Sequence, residues 1–257
     1  MKAPRYEFRV DTASLASDEH IRRNEDACFA SEDGYLGVFD GVGGNFGSEL
    51  ASQFVASYCL DSLRRLPRIA TREAGERDTG MMLEDVRQAL VDMSIKQHEG
   101  LISTTAVVAR ALIDPTSDEP YIQFAHAGDS RGYLIRDNHI AAVTLDHGIA
   151  GPNAILQELL SNTHYPDEIP DDFRFIIGRR NLIMSAITSR PSECDMRVEY
   201  DTHALKQGDV VLLTSDGVHD NLTDPEIIDI MRNSTIHDLV ETARATSRRP
   251  NYEAHVI

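Results

Sequence analysis

Tyr35-Leu36-Gly37-Val38-Phe39 runs straight into Asp40-Gly41-Val42-Gly43-Gly44, an apolar β-rich run that ends in an aspartate followed by glycine. An ionised carboxylate placed directly after a buried strand loses hydration, and it needs a cation or hydrogen bonds in compensation. The glycine lets the backbone turn sharply and bring its carbonyl, or a phosphate, close. One Asp-Gly after a strand reads equally well as a simple turn. Here the arrangement recurs. Ile122-Gln123-Phe124-Ala125-His126-Ala127 leads into Gly128-Asp129-Ser130-Arg131, and Val210-Val211-Leu212-Leu213-Thr214 leads into Ser215-Asp216-Gly217. Glu25-Asp26 add two carboxylates just before a strand at Ala27. Read one at a time, Asn24-Glu25-Asp26 is also a solvated acidic turn, and Asp129 also a salt-bridge partner for Arg131 or Arg136. Taken together they suit hard cations such as Mg²⁺ and Mn²⁺, which take oxygen ligands and keep several waters. Two such ions about 3.5–4 Å apart lower the pKa of a bridging water and stabilise both oxygens of an in-line displacement.

Outward from these turns, the periodicity switches in a definite order. Short β-rich runs cover Tyr6–Val10, Ala27–Ala30 and Tyr35–Phe39. Helical stripes follow at Ser48–Leu66, with Leu50, Phe54, Val55 and Tyr58 on one face, and at Met82–Gln97, with Met82, Val86, Leu90 and Met93. Between them Pro67–Gly80 is charged and reads as a loop. Strands are expected at Ser103–Arg110, Tyr121–Ala127, Gly132–Arg136 and His139–Thr144, with Asp137-Asn138 as a hairpin turn. Gly148–Arg180 has no clear period and reads as an irregular surface insertion. Strands resume at Asn181–Ile187, Met196–Tyr200 and Asp209–Thr214. Pro225 then opens a helix where its missing N–H costs nothing, and a last helix covers Ile236–Ser247. Strands grouped apart from helices point to an α+β fold with packed sheets and helix pairs outside.

The chain of 257 residues shows no repeat and no linker, so residues 1–257 are expected to form a single domain. A hydrophobic content of 41% with 26% charged residues fits an ordinary globular protein. No apolar stretch approaches the ~20 residues of a membrane helix, and the polar start at Met1–Glu7 lacks the apolar core of a signal peptide. A cytoplasmic location is therefore expected. Cys28, Cys59 and Cys194 are odd in number and scattered, which argues against a disulfide framework or thiolate zinc site. The formal net charge of −17 argues against nucleic acid or an anionic membrane as partner.

Six segments, in order, resemble the motifs of the metal-dependent Ser/Thr protein phosphatases (protein phosphatase type 2C, the PPM family) in their compact bacterial form. They are Arg22–Asp26, Val38–Gly44, Ser103–Ala106, Ala127–Arg131, Thr144–His147 and Leu212–Gly217. The resemblance implies a central β-sandwich of two antiparallel sheets flanked by helix pairs, and hydrolysis of phosphoserine or phosphothreonine by metal-activated water without a phosphoenzyme. It implies two Mn²⁺ or Mg²⁺ ions and a third, more weakly held. Asp40 would bridge the first two, with the Gly41 carbonyl and the Glu25 carboxylate on one and Asp216 on the other. Asp26 would act through a water, and Asp129 would belong to the third ion. Residues 148–180 would form a flap beside the cleft. Partners would be phosphorylated proteins and a Ser/Thr kinase.

Three positions depart from the family pattern. Ile21 stands where the phosphate-binding arginine is usual, leaving Arg22 or Arg23 for that role. Val42 replaces the histidine of many eukaryotic members, a histidine that bacterial members also lack. No aspartate follows Asp238, so the domain is expected to lack its C-terminal metal-ligand strand. That departure keeps open a second reading, a catalytically weakened domain acting as a regulatory binding module. Two other readings compete on motif grounds. Gly128-Asp129-Ser130-Arg131-Gly132 fits the nucleophile elbow of serine hydrolases, which must open a helix. Gly41–Gly47 invites a dinucleotide loop but fails its spacing at Phe46 and lacks a parallel βαβ series.

Overall fold

Alternation along Tyr35–Val42 sets the layering, because successive side chains of a strand point to opposite faces. A computed structural model describes residues 7–16, 24–42, 47–97, 100–148, 154–163 and 182–247. The chain begins with β1 (Asp26–Ser31), β2 (Tyr35–Val42), α1 (Ser48–Leu63) and α2 (Arg72–Gln97). The strands β3 (Ser103–Thr104), β4 (Ala106–Ile113), β5 (Pro120–Ala127), β6 (Arg131–Arg136) and β7 (His139–Val143) come next. After α3 (Ala154–Ser161) come β8 (Ile187–Thr188), β9 (Glu199–Ala204) and β10 (Val210–Thr214). The described chain closes with α4 (Asp216–His219), α5 (Asp224–Asn233) and α6 (Ile236–Ser247).

The strands form two antiparallel sheets, one ordered β8-β3-β2-β4-β5-β9 with β1 also paired to β2, the other ordered β10-β6-β7. Three apolar cores separate four layers. Tyr35 and Phe39 of β2, Ala106 and Val108 of β4 and Ala125 of β5 pack against α1 and α2. The residues that alternate with them, Leu36, Ala109, Ala111, Ile122 and Phe124, meet Leu134, Val211 and Leu213 of the small sheet. On that sheet's other face Tyr133, Ile135 and Leu212 pack against Val218, Ile227, Leu239 and Ala243 of the C-terminal helices. The expected α+β sandwich, layered α-β-β-α, is the observed fold. The hairpin turn lies where expected, with Asp137 and Asn138 at φ 51° and 61° as a type I′ turn requires.

Several boundaries differ for identifiable reasons. Pro67–Gly80 is mostly helix, since α2 starts at Arg72. Its first turns are held by polar contacts that leave no apolar stripe. The fully buried Arg110 donates from Nη1 to Thr79 Oγ1 at 2.7 Å and to the Gly75 carbonyl at 3.3 Å. The expected irregular insertion contains α3, whose buried Gln157 donates to the Thr144 carbonyl at 2.9 Å and accepts from Asp146 N–H at 2.8 Å. The strand expected at Met196–Tyr200 begins later and runs on through the polar Asp201-Thr202-His203, an edge of the large sheet. Asn181–Ile187 contributes only an Ile183 bridge to Gly148 and the short β8. Glu7–Val10 forms no strand. Tyr6, Asn181, most of the 148–180 flap and residues 248–257, where the closing metal-ligand strand was at issue, lie outside the described residues. No helix among the described residues is long and apolar enough to cross a membrane.

Candidate metal centre

The antiparallel register of β1 and β2 sets Asp26 opposite Asp40. Gly41 N–H donates to the Glu25 carbonyl at 3.1 Å, and Ser52 Oγ of α1 donates to the same carbonyl at 2.6 Å. Glu25, Asp26, Asp40 and Gly41 are thereby gathered at one strand end. The Asp40 peptide is held from the other side: its N–H donates to Thr105 Oγ1 at 3.0 Å, and its carbonyl accepts from Thr104 Oγ1 at 2.8 Å and Thr105 N–H at 2.8 Å. Gly41 allows α1 to pack this close, because a Cβ there would lie 2.6 Å from the Ser48 carbonyl oxygen.

Two further segments bring the remaining carboxylates. Gly128 turns the chain out of β5 with φ +115°, a value that strongly favours glycine, and delivers Asp129 into the interior at 7% exposure. Ser130 Oγ lies 2.7 Å from Thr105 Oγ1, tying this corner to the Asp40 peptide. At the end of β10, Ser215 Oγ donates to Asp26 Oδ2 at 2.9 Å, and Asp216 opens α4. The Asp40 carboxyl reaches both Asp26 and Asp216 through side-chain hydrogen bonds. Asp26, Asp40, Asp129 and Asp216 thus come together from four separate stretches of chain, with Glu25 acting on Asp26.

Burial and like charge dominate the electrostatics. Burial first, then Asp216 and Asp26, hold the Asp40 carboxyl well above the ordinary carboxylate range. Asp129 is raised well above it by burial, Asp216, Asp146 and Asp220. Asp26 is raised by burial, partly offset by its bonds to Ser215 and Asp40. Asp129 Oδ1 is buried without a hydrogen-bond partner among the described residues. Buried oxygens that repel one another, with Asp129 Oδ1 lacking a donor, suit a hard divalent cation, which takes oxygen ligands.

The simpler readings of single residues fail here. Arg131 makes two bonds to Asp146, at 2.8 and 2.7 Å, and Arg136 two to Asp209, at 2.7 and 2.6 Å, so neither is the partner of Asp129. The serine-hydrolase elbow fails as well, because Arg131–Arg136 is a strand and Ser130 is 1% exposed. Sequence reasoning missed Asp220, which stands one helical turn after Asp216 and raises Asp129; that four-residue spacing was the available signal. Arg22, Arg23, Gly43 and Gly44 lie outside the described residues.

Comparison with known proteins identifies the family and the fold. The protein phosphatase 2C family model matches residues 11–153, more than half of the chain. The serine/threonine phosphatase Stp of Listeria welshimeri is 24% identical over 231 residues, covering 88% of this chain and 82% of its own. The serine/threonine phosphatase PstP/Ppp of Mycobacterium tuberculosis superposes with TM-score 0.62 at 23% identity, covering 88% of this chain and 87% of that one. A PstP catalytic domain in complex with two manganese ions superposes with TM-score 0.60 at 20% identity, covering 97% and 90%. The matched segment spans Glu25, Asp26, Asp40, Gly41 and Asp129, and on this the chain belongs to the protein phosphatase 2C family, the metal-dependent protein phosphatases.

Proposed function

We propose that this protein hydrolyses phosphoserine and phosphothreonine in phosphorylated proteins, using two divalent cations, Mn²⁺ or Mg²⁺, at the carboxylate corner. The observation that carries this reading is the convergence of Asp26, Asp40, Asp129 and Asp216 into mutual repulsion, with Asp40 between Asp26 and Asp216. Asp40, Glu25 and the Gly41 carbonyl would hold one cation, and Asp40 with Asp216 would hold the other. Asp26, oriented by Ser215, acts through a water. Asp129 serves a third, weaker cation, and Arg22 or Arg23 binds the phosphate. When bound, the cations activate water and neutralise the phosphoryl oxygens. The protein's own contribution is rigidity. Thr104, Thr105, Ser52 and the Gly41 peptide hold the carboxylate-bearing backbone in place before substrate arrives.

Phosphoprotein substrates imply an opposing Ser/Thr kinase, and three free cysteines fit a reducing, cytoplasmic compartment. The deciding experiment compares Mn²⁺-dependent release of phosphate from p-nitrophenyl phosphate and from phosphoserine and phosphothreonine peptides, with and without chelator. Turnover that survives excess EDTA, or that is confined to non-protein esters, would sink the reading.

A further inference from the structure

A second cluster of metal-ligating atoms lies at the end of β5, on the other side of the Gly128 turn from Asp129. His126 on β5 faces Glu199 across the β5–β9 ladder, and His147 follows the strand pair β6–β7. The two imidazoles stack with centroids 4.5 Å apart and planes at 28°. His147 Nε2 stands 3.6 Å from Glu199 Oε2. One nitrogen of each histidine and one glutamate oxygen all lie within 4.8 Å of one another, the tightest such grouping of His, Cys, Asp and Glu donors among the described residues. Donor atoms bound at about 2.0–2.1 Å around one tetrahedral Zn²⁺ stand roughly 3.4 Å apart, so closing the set needs the donors to approach and the stacked rings to turn until their in-plane lone pairs converge.

A second observation points to a ligand. His126 is 2% exposed, and its Nε2 donates to the Leu145 carbonyl at 2.7 Å, since a carbonyl oxygen only accepts. The Nδ1 lone pair is therefore not used by a proton, and that atom is buried with no hydrogen-bond partner among the described residues. Such orphaned nitrogens are rare in folded interiors. His147 Nε2 is buried and makes no hydrogen bond of normal length among the described residues, its contact with Glu199 Oε2 being 3.6 Å. Glu199 gives its other oxygen, Oε1, to Arg197, which leaves Oε2 for the cluster. A metal-bound histidine that donates its second nitrogen to a backbone carbonyl is a common way to fix ring orientation, and His126 has that arrangement.

We propose that His126, His147 and Glu199 form a separate site for Zn²⁺ or a similar borderline cation, with a water completing four-coordination. The donor set is two nitrogens and one oxygen, which suits Zn²⁺ over the Mg²⁺ and Mn²⁺ that the oxygen-only corner takes. Burial lowers the pKa of both histidines, His147 to about 4, so both rings are neutral at pH 7; His126 presents its Nδ1 lone pair, and His147 presents Nε2 once its proton moves to Nδ1. Glu199 is one-third exposed and gives the ion and its water a path to solvent.

Occupancy has a consequence for the neighbouring corner. His147 Nδ1 accepts from Gly128 N–H at 3.3 Å, so the neutral ring keeps its proton on Nε2. A cation on Nε2 requires that proton to move to Nδ1, where it meets the Gly128 N–H and ends their bond. Gly128 is the residue before Asp129.

The test uses Co²⁺ as a probe on the whole protein in excess Mg²⁺, which fills oxygen-only sites. Four-coordinate Co²⁺ with nitrogen ligands absorbs visible light far more strongly than six-coordinate Co²⁺ with oxygens. A strong visible band saturating near about one equivalent and displaced by Zn²⁺ is expected. His126→Ala should remove it while the circular dichroism spectrum is kept. If that variant fails to fold, Glu199→Gln, at a partly exposed position, should weaken Co²⁺ binding at least about 10-fold. Absence of the band, or a band unchanged in the variants that fold, overturns the proposal. The readout is binding without turnover, so its failure leaves the phosphatase reading untouched.

Discussion

The carboxylate corner and the histidine cluster share the Gly128 turn, yet burial drives their titrating groups in opposite directions. At the corner, burial and neighbouring charge raise the Asp26, Asp40 and Asp129 carboxyls. At the cluster, burial lowers His126 and His147. One rule covers both: a low-dielectric setting disfavours whichever form is charged. The chemical outcomes differ because a carboxylate is charged when it is a good ligand and an imidazole is neutral. The corner therefore strains against its own charge until a hard cation arrives, whereas the cluster rests in a neutral form that needs only a tautomer shift at His147 to take a cation. The contrast explains how one small region can serve two classes of metal without exchanging them.

The sharpest way to break this contrast is Asp40→Asn, which keeps shape and hydrogen bonding but removes the central charge. Several kcal/mol of charge stabilisation correspond to a loss of about 10³-fold or more in Mn²⁺-dependent turnover. Near-normal rates of p-nitrophenyl phosphate hydrolysis in a folded variant would contradict the role of Asp40. Asp129→Ala should act more gently, raising the Mn²⁺ concentration needed for half-maximal activity by about 10-fold with little change in substrate KM. An unmoved Mn²⁺ titration would remove Asp129 from the metal centre. Smaller still is the cross-talk through Gly128. One equivalent of Zn²⁺, with no Mg²⁺ present, should raise the Mn²⁺ requirement on the order of 5-fold, and Glu199→Gln should abolish that shift. An equal shift in wild type and variant would mean that zinc acts directly at the corner.

The corner was legible in the sequence because its signal is local: an apolar strand, then an acid, then a small residue, three times over. The histidine cluster gave no such signal. His126 sits in an otherwise apolar strand, and Glu199 becomes its neighbour only through the β5–β9 register, across more than seventy residues of chain. Pattern reading also failed where polar contacts replace apolar ones. The first turns of α2 bury Gly75 and Thr79 against Arg110, so they lack the 3.6-residue apolar stripe that marks a helix, and α3 is only two turns long and docks partly through Gln157. The sandwich was recoverable because β2, β5 and β10 alternate or run apolar over five to eight residues, where period alone decides which layer a side chain enters.

Asp224 separates burial from crowding. It opens α5 directly after the N-cap Thr223, inside the Thr223–Glu226 capping box, and its Oδ1 is buried without a partner among the described residues. Burial raises its carboxyl to about 6, Arg131 pulls it back and Asp146 adds to the rise; Tyr133, itself pushed up by burial, feels its charge. The folded pKa lies above the unfolded value of 3.8, so the folded state holds this proton more tightly. Its contribution to stability is fully present below the unfolded value and is lost as pH rises through about 6. Asparagine has no charge to bury at any pH. Asp224→Asn should therefore gain about 1–2 kcal/mol relative to wild type between acid and neutral pH, after allowance for partial solvent screening. Urea unfolding of the metal-loaded protein at a series of pH values from acid to neutral measures this directly. Parallel curves for the two proteins would mean that burial alone does not raise a carboxyl in this fold, and that the shifts at the corner come from its neighbouring charges.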